Sequence, residues 1–387
     1  MSTIDNANLQ NAVSNKPPLR VIVSGGGTGG HIFPAISIAN AVRERWPDAE
    51  ILFVGAEDRM EMERVPAAGY KIIGLPVAGF DRKNMLKNVT VVMKLLKSMK
   101  LARKIIDDFK PDIAVGVGGY ASGPTLKAAS AKGVPTLIQE QNSYAGVTNK
   151  MLAKKAATIC VAYEGMANFF PKEKIILTGN PCRQDLVISD ENRVKGYDFF
   201  QLDPTKRTIL MVGGSLGART LNESIVAALP KLAAQDDVQV IWQCGKYYFK
   251  EMQKLQTQGK IPTNVHLLDF VSRMDYAYSV ADLVISRAGA GSISEFCLLG
   301  KAVVLVPSPN VAEDHQTKNA QALVNKDAAV MVSDVLASGL LFDVALSLVR
   351  DDDRLERLKR NITVLAQHDS AKRIVDEIEK IISAKHL

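Results

Sequence analysis

Val21-Ile22-Val23-Ser24-Gly25-Gly26-Gly27-Thr28-Gly29-Gly30-His31 is an apolar run that stops in five glycines out of six positions, with a helical pattern starting at once. Glycine lets a backbone turn sharply and come close to a ligand. A helix that begins there aims unpaired N–H groups and a positive dipole end into the loop, which suits a phosphate or diphosphate. A strand-to-helix turn used only for packing rarely needs so many glycines. Outward from the loop, Pro34 to Trp46 has helical spacing and is stopped by Pro47, and Glu50 to Gly55 reads as a buried strand. A helix around Arg59 to Val65 and an apolar run from Tyr70 to Leu75 follow. Strand alternating with helix predicts a parallel sheet with crossover connections.

The alternation continues through a long helix, Met85 to Phe109, and strands at Asp112–Val117, Val134–Gln139, Thr158–Ala162 and Lys174–Leu177, a sheet of about seven strands. Pro124 opens the helix between the first two of these strands and Gly133 closes it. The pattern breaks at Gly179-Asn180-Pro181-Cys182-Arg183 and then restarts with the same device. Thr208–Val212 is a strand, Gly213-Gly214-Ser215-Leu216-Gly217 a glycine turn and Ala218–Ala234 a helix. Further strands fall at Val238–Gln243, Val265–Leu268, Leu283–Ser286, Val303–Pro307 and Ala329–Val332. The fold class is therefore α/β, with two Rossmann-like, doubly wound parallel-sheet domains facing each other across a cleft. The boundaries are a flexible tail over 1–18, a first domain over 19–180 and a second over 181–367, with a last helix within 368–387 packing back on the first domain.

Bulk properties narrow the class of protein. A chain of 387 residues exceeds the roughly 250 to 300 at which one core stops growing. Hydrophobic residues at 47%, charged residues at 23% and a mean hydropathy of +0.02 argue against both a disordered chain and a polytopic membrane protein. The cysteines, Cys160, Cys182, Cys244 and Cys297, have no C-x-x-C or zinc spacing and read as buried thiols in a reducing compartment. The N-terminus lacks an apolar signal core, and no stretch approaches the length of a membrane span. Net charge is +7, which favours acidic partners. It is concentrated: Asp81 to Lys104 holds eight basic residues against one acid.

Two motifs carry the ligand chemistry. Gly25-x-Gly27-x-x-Gly30, with Glu57 or Asp58 past the second strand, formally matches the dinucleotide fingerprint and keeps an NAD-dependent dehydrogenase open. A loop of almost all glycine satisfies that spacing by accident, however, and the fingerprint leaves the second half of the chain unexplained. The second motif is Ser286-Arg287-Ala288-Gly289-Ala290-Gly291-Ser292-Ile293-Ser294-Glu295, where a strand ends in small residues and a helix starts with hydroxyls and a carboxylate. Its N–H groups and hydroxyls can hold a diphosphate, and a carboxylate one turn in can accept both ribose hydroxyls. Ser292 and Glu295 also fit a capping box. Asp314-His315-Gln316 to Asn319 puts polar side chains after a strand's C-terminal end, where open α/β sheets bind ligands.

The ordered set Gly25–His31, Gly118-Gly119-Tyr120, Glu140-Gln141-Asn142, Gly179-Asn180-Pro181-x-Arg183, Gly213-Gly214-Ser215-x-Gly217-Ala218, Ser286–Glu295 and His315-Gln316 to Asn319 resembles the MurG family over residues 19 to 380. These are glycosyltransferases of the B fold that add N-acetylglucosamine to lipid I in peptidoglycan synthesis. The resemblance implies UDP-N-acetylglucosamine as donor in the second domain and lipid I, undecaprenyl-diphospho-muramoylpentapeptide, as acceptor in the first. It implies donor contacts from Thr28, Gly29, Gly30, Asn142, Arg183, Ser215, Val271, Ala290, Gly291, Ser292, Ile293, Ser294, Glu295 and Gln316. Glu295 would take the ribose, Ala290 to Ser294 the diphosphate, Val271 the uracil and Gln316 the sugar. Gly26, Gly27, Tyr120, Glu140 and Gln141 fall on the acceptor side. Leu216 and His315 depart from the family pattern, which has glutamines there. Rival expectations are transfer to another lipid acceptor and a non-catalytic nucleotide-sugar sensor.

His31 is the expected catalytic base. The positive helix end opposes imidazolium, so the ring is neutral near pH 7 and can accept a proton from the C4 hydroxyl of the N-acetylmuramyl unit. The resemblance implies inversion by direct displacement, with no cofactor and no obligatory metal. Lys83, Met85, Leu86, Lys87, Lys94 and Lys97 form the expected membrane-facing surface, because lysines beside apolar side chains suit an anionic interface. Nucleic acid is disfavoured, as no aromatic lies between Phe80 and Phe109 for base stacking. The expected location is peripheral, on the cytoplasmic face of the inner membrane, with other cell-wall synthesis proteins as candidate partners.

Overall fold

The computed structural model describes residues 17–78, 88–182, 186–214 and 216–385. Most of the expected tail lies outside these residues, as do Lys83, Met85, Leu86, Lys87, Arg183 and Ser215.

The first half runs β1 (Arg20–Ser24), α1 (Gly29–Arg45), β2 (Glu50–Ala56), α2 (Glu61–Ala67), β3 (Lys71–Leu75), α3 (Asn88–Phe109) and β4 (Ile113–Gly116). It continues with α4 (Ser122–Ala131), β5 (Thr136–Glu140), α5 (Val147–Leu152), β6 (Thr158–Val161) and β7 (Ile175–Leu177). These seven strands form one all-parallel sheet in the order β3-β2-β1-β4-β5-β6-β7.

The second half opens with α6 (Asp190–Phe200), β8 (Arg207–Val212), α7 (Arg219–Ala233), β9 (Val238–Gln243), α8 (Phe249–Thr257) and β10 (Val265–Leu268). Then come α9 (Met274–Val280), β11 (Leu283–Ser286), α10 (Ala290–Leu299), β12 (Val303–Leu305), α11 (His315–Val324) and β13 (Val330–Met331). The chain closes with α12 (Ala337–Leu348), α13 (Asp352–Thr363) and α14 (Ser370–Lys385). The second sheet is also parallel, in the order β10-β9-β8-β11-β12-β13.

The two sheets repeat one plan for one reason. A parallel sheet covered by helices on both faces needs strands that are apolar on both sides. In β1, Val21 and Val23 pack with α1, while Ile22 enters the core under α3 and α4. In β8, Ile209 and Met211 face one core and Leu210 and Val212 the other. Strand order reverses beside β1 and again beside β8, which opens a crevice at the C-terminal ends of the strands, where such sheets bind ligands. Both glycine turns leave from those two strands.

Several boundaries differ from the sequence expectation. Helix α1 begins at Gly29 rather than Pro34, because the N–H groups of His31 and Ile32 both donate to the Thr28 carbonyl at 3.1 Å and wind the loop into the first turn. Glu140, just beyond the strand expected over Val134–Gln139, is the last residue of β5. The N-cap of α10 is Gly289, so Ser292 lies inside the helix and forms no capping box with Glu295.

Helix α14 returns from the second half to the first sheet. Ala371, Ile374, Val375 and Ile378 join the core formed by β1 and α1, and Arg45 pairs with Asp376 and Glu379 at the rim. Ile374→Ala should therefore destabilise the first domain by about 2–5 kcal/mol, the usual range for truncating a fully buried isoleucine. Urea denaturation followed by a probe confined to that domain measures it, and an unmoved midpoint would show α14 to be dispensable.

Candidate active site

The first wall of the cleft is made from loops leaving β1, β4 and β5. The glycine loop packs directly on the next one: a Cβ on Gly119 would lie 2.5 Å from the Gly26 carbonyl oxygen, so only glycine fits. Ser122 joins them, its hydroxyl lying 2.7 Å from the Ser24 carbonyl and 2.9 Å from that of Gly118. The imidazole edge of His31 rests against Gly118, where a Cβ would be 3.0 Å from Nε2 and from Cδ2. His31 Nδ1 lies 3.1 Å from the Gly26 carbonyl oxygen and 3.3 Å from Thr28 Oγ1. A carbonyl can only accept, so this partner assigns the proton to Nδ1 and leaves the lone pair on Nε2. Burial pushes the His31 pKa below its usual value of 6.5, helped by His315 and opposed by Glu140, by the Gly26 hydrogen bond and by Glu61. The ring is therefore neutral near pH 7, through burial first.

Glu140 is buried and organises the loop after β5. One oxygen accepts from Asn142 N at 3.1 Å and Nδ2 at 3.2 Å, the other from Asn149 Nδ2 at 2.8 Å and Gly146 N at 3.0 Å. Gln141 is 2% exposed and its amide donates to the Val117 carbonyl, so its side chain supports the wall from behind. Tyr120, by contrast, is 57% exposed at the rim of the same loops.

The opposite wall is the C-terminal edge of β8, β11 and β12. Helix α10 starts without a capping side chain and without an acid in its first turn, so its N–H groups and dipole end favour an anion. Ile293 belongs to the second-domain core and Ala290 is buried beside the helix start, so both present backbone alone; Gly291 and Ser292 are partly exposed. Val271 is likewise core, so any contact it makes with a base uses its main chain. Ser294 Oγ donates to the Ala290 carbonyl at 3.0 Å and accepts from Asn180 Nδ2 at 3.0 Å, which makes it a joint between the domains. Glu295 accepts from the Tyr278 hydroxyl at 3.3 Å. Gln316 Oε1 accepts from Ser308 N at 2.8 Å and thereby ties α11 to the loop after β12.

Asn319 clamps the two walls. It is fully buried, and its Oδ1 accepts from Ser143 N at 2.9 Å and Oγ at 3.0 Å, while Nδ2 donates to Asn142 Oδ1 at 3.1 Å. Beside it, the Lys318 ammonium sits 3.2 Å from the Tyr144 ring centroid. A cavity of about 400 Å³ also lies between the domains, lined by Ser143, Tyr163, Asn180, Ser294, Cys297 and Gln367 among others; no glycine-loop residue lines it, so it belongs to the hinge side. The structure thus brings Thr28, His31, Glu140 and His315 together, sets Asn142 against Asn319 across the domains, and leaves Gln316 on the loop after β12.

Sequence reasoning passed over Glu61, which lies under the glycine loop fully buried and accepts from Gly27 N and Ala56 N, each at 2.9 Å. Its bond to Gly27 turns that N–H away from the crevice, unlike a dinucleotide cradle, whose loop amides face the phosphates. Only the unusual run of glycines hinted that something had to fit beneath them. Among the described residues, no group of three or more His, Cys, Asp or Glu could hold a metal ion. Asn319→Ala should lower stability by about 1–3 kcal/mol, since it strands the part-buried Ser143 N–H and Asn142 Oδ1. Denaturant titration checks this; an unchanged midpoint would mean the clamp is not formed in solution.

Residues 21–161 match the glycosyltransferase family 28 N-terminal domain, and residues 208–377 match the corresponding C-terminal domain. A relative from Parabacteroides distasonis is 67% identical over 367 residues, covering 95% of this chain and 99% of its own length. One from Bacteroides thetaiotaomicron is 62% identical over 369 residues, with 95% and 99% covered. Both are named UDP-N-acetylglucosamine–N-acetylmuramyl-(pentapeptide) pyrophosphoryl-undecaprenol N-acetylglucosamine transferase. The crystal structure of Acinetobacter baumannii MurG superposes with a TM-score of 0.76 at 28% identity, over 94% of this chain and 100% of that one. Two parallel-sheet domains of the B fold, full-length identity to these transferases and the matching structure exclude the dehydrogenase alternative: the chain belongs to glycosyltransferase family 28, within its MurG family.

Proposed function

We propose that His31 is the base of an inverting N-acetylglucosaminyl transfer, with the donor held chiefly by the second domain and lipid I by the first. The chain is an N-acetylglucosamine transferase of the lipid I to lipid II step. The observation that supports His31 is its geometry: Nδ1 is bound to a backbone carbonyl, so a neutral Nε2 with its lone pair is left beside the glycine loop. In the reaction, Nε2 takes the proton of the acceptor C4 hydroxyl. That oxygen bonds to C1 of the donor sugar as the bond from C1 to the diphosphate oxygen breaks, and UDP leaves with the electron pair. The N-terminal end of α10 stabilises the developing charge on the diphosphate, as preorganised donors do. Glu295, one turn into that helix, takes the ribose hydroxyls, and the main chain at Val271 the uracil.

No metal is required in this scheme, because a helix end and hydroxyls meet the leaving group. Activity should persist in excess EDTA; loss of turnover restored by a divalent cation would overturn that part. A transfer assay with labelled UDP-N-acetylglucosamine and a lipid I analogue tests the whole, beside UDP-glucose and UDP-galactose as competitors. His31→Ala should lower kcat about 10² to 10⁴-fold with donor affinity nearly unchanged, as loss of a general base does. The acid limb of the wild-type kcat profile should have its midpoint below pH 6.5, because burial depresses the His31 pKa. An acid limb at or above 6.5 would rule out the buried imidazole as the titrating group.

The acceptor's lipid chain calls for a membrane-facing surface, and α3 supports one. Val92, Met93, Leu95 and Leu96 are exposed there beside the exposed Lys94 and Lys97. A solvated helix face does not need four bare apolar side chains, whereas an interfacial helix does. No described helix is long and apolar enough to cross a membrane. The enzyme would then sit peripherally on the cytoplasmic face of the inner membrane, against anionic lipid. Lys94→Glu combined with Lys97→Glu should weaken binding to anionic vesicles by roughly tenfold or more; intact binding would make the face an ordinary solvated one.

A further inference from the structure

Glu61 is a carboxylate that the transfer scheme leaves unused. It is fully buried, and burial of a carboxylate is costly unless its oxygens are hydrogen-bonded. Here Oε1 accepts from Ala56 N and Oε2 from Gly27 N. Two glycines make room for it: a Cβ on Gly26 would lie 2.1 Å from Oε1, and one on Gly55 2.7 Å from Cγ. The Gly27 N–H and the Gly26 carbonyl belong to the same peptide group. That carbonyl is the acceptor for His31 Nδ1. A single planar amide therefore lies between the carboxylate and the imidazole, with the carboxylate on its N–H and the imidazole on its oxygen.

Hydrogen bonds in such a chain polarise one another. A negative charge at the N–H end makes the carbonyl oxygen a stronger acceptor, which favours the Nδ1–H tautomer and holds the ring in place. In serine hydrolases a carboxylate does this by touching the imidazole directly. We propose that Glu61 is the orienting carboxylate of His31 and acts on it through the Gly26–Gly27 peptide, holding Nε2 as the proton acceptor. The inference rests on His31 being the base. Glu61 is a positioning residue, since it touches neither substrate. The other charged or titratable groups facing His31 are Glu140 at the end of β5 and His315 at the start of α11. Glu140 already accepts four hydrogen bonds from its own loop.

The test compares wild type, Glu61→Gln, His31→Ala and the double variant in the transfer assay across pH, with ¹⁵N NMR of the His31 imidazole. Glu61→Gln should lower kcat about ten- to a hundredfold, as loss of a partner behind a catalytic group typically does, with the donor KM within about twofold. Its acid limb should move to lower pH, because removing a negative charge near the ring disfavours imidazolium. In the His31→Ala background the same change should cost nothing further. A kcat and acid limb unchanged by Glu61→Gln, or an equal loss with His31 already absent, would overturn the proposal and leave Glu61 as loop scaffolding. The wild-type spectrum alone decides as well: Nδ1–H supports the relay, and Nε2–H overturns it even should the Gln variant not fold. Wild-type turnover by His31→Ala would instead refute the base assignment, which keeps the two failures apart.

Discussion

Glu61 reaches its place only because the backbone above it has no side chains. The carboxylate requires two N–H donors in a dry interior, and the glycine loop supplies one while β2 supplies the other. Once that bond is made, the peptide between Gly26 and Gly27 has one orientation, its carbonyl faces His31, and the Gly118–Gly119 loop can close against it. The position of the imidazole, the first turn of α1 and the contact between the loops after β1 and β4 all follow. A glycine run that looks like a site for phosphate is thus largely a device for seating a carboxylate and a histidine on either side of one amide.

The two domains use the same architecture for different ends. Both deliver loops to the C-terminal edge of a parallel sheet, and both begin with a glycine turn after the central strand. In the first domain the polar groups of those loops are mostly satisfied internally: Glu140 holds its own loop, Gln141 its neighbour, Glu61 the glycine turn. The result is a rigid wall with one directed lone pair. In the second domain the corresponding edge keeps a helix end without a cap, ready for an anion. Asn319 and Asn180 join the walls through side-chain amides, beside the packing of Tyr163 on the second-domain core.

Most of the fold was legible because strands buried on both faces are continuous apolar runs, and helix stops carry proline or glycine. The seven-stranded first sheet, the duplicated plan and the return of α14 follow from that pattern. Short elements were not legible: α5 is only Val147–Leu152 and lacks a periodic face long enough to see. The site was legible as a set of motifs, yet not as contacts. Val271 and Ile293 read as ligand contacts but their side chains are core, because a motif marks where the backbone must go as often as what the side chain must do. Asn142 and Ser294 read as donor contacts and also turn out to join the domains. Glu61 was invisible for the opposite reason, since a charged residue opening a helix normally faces water.

The return of α14 has a consequence in time. The core built on β1 and α1 is closed by Ala371, Ile374, Val375 and Ile378, which are synthesised after every strand of the second sheet. Domains generally fold as units, the N-terminal one first, as the chain emerges from the ribosome. Here the first domain emerges with one apolar face still open, and it stays open while the entire second domain is made. The order of assembly is therefore inverted: the second domain can complete its core first, and the half that carries His31 is finished only once α14 has been made.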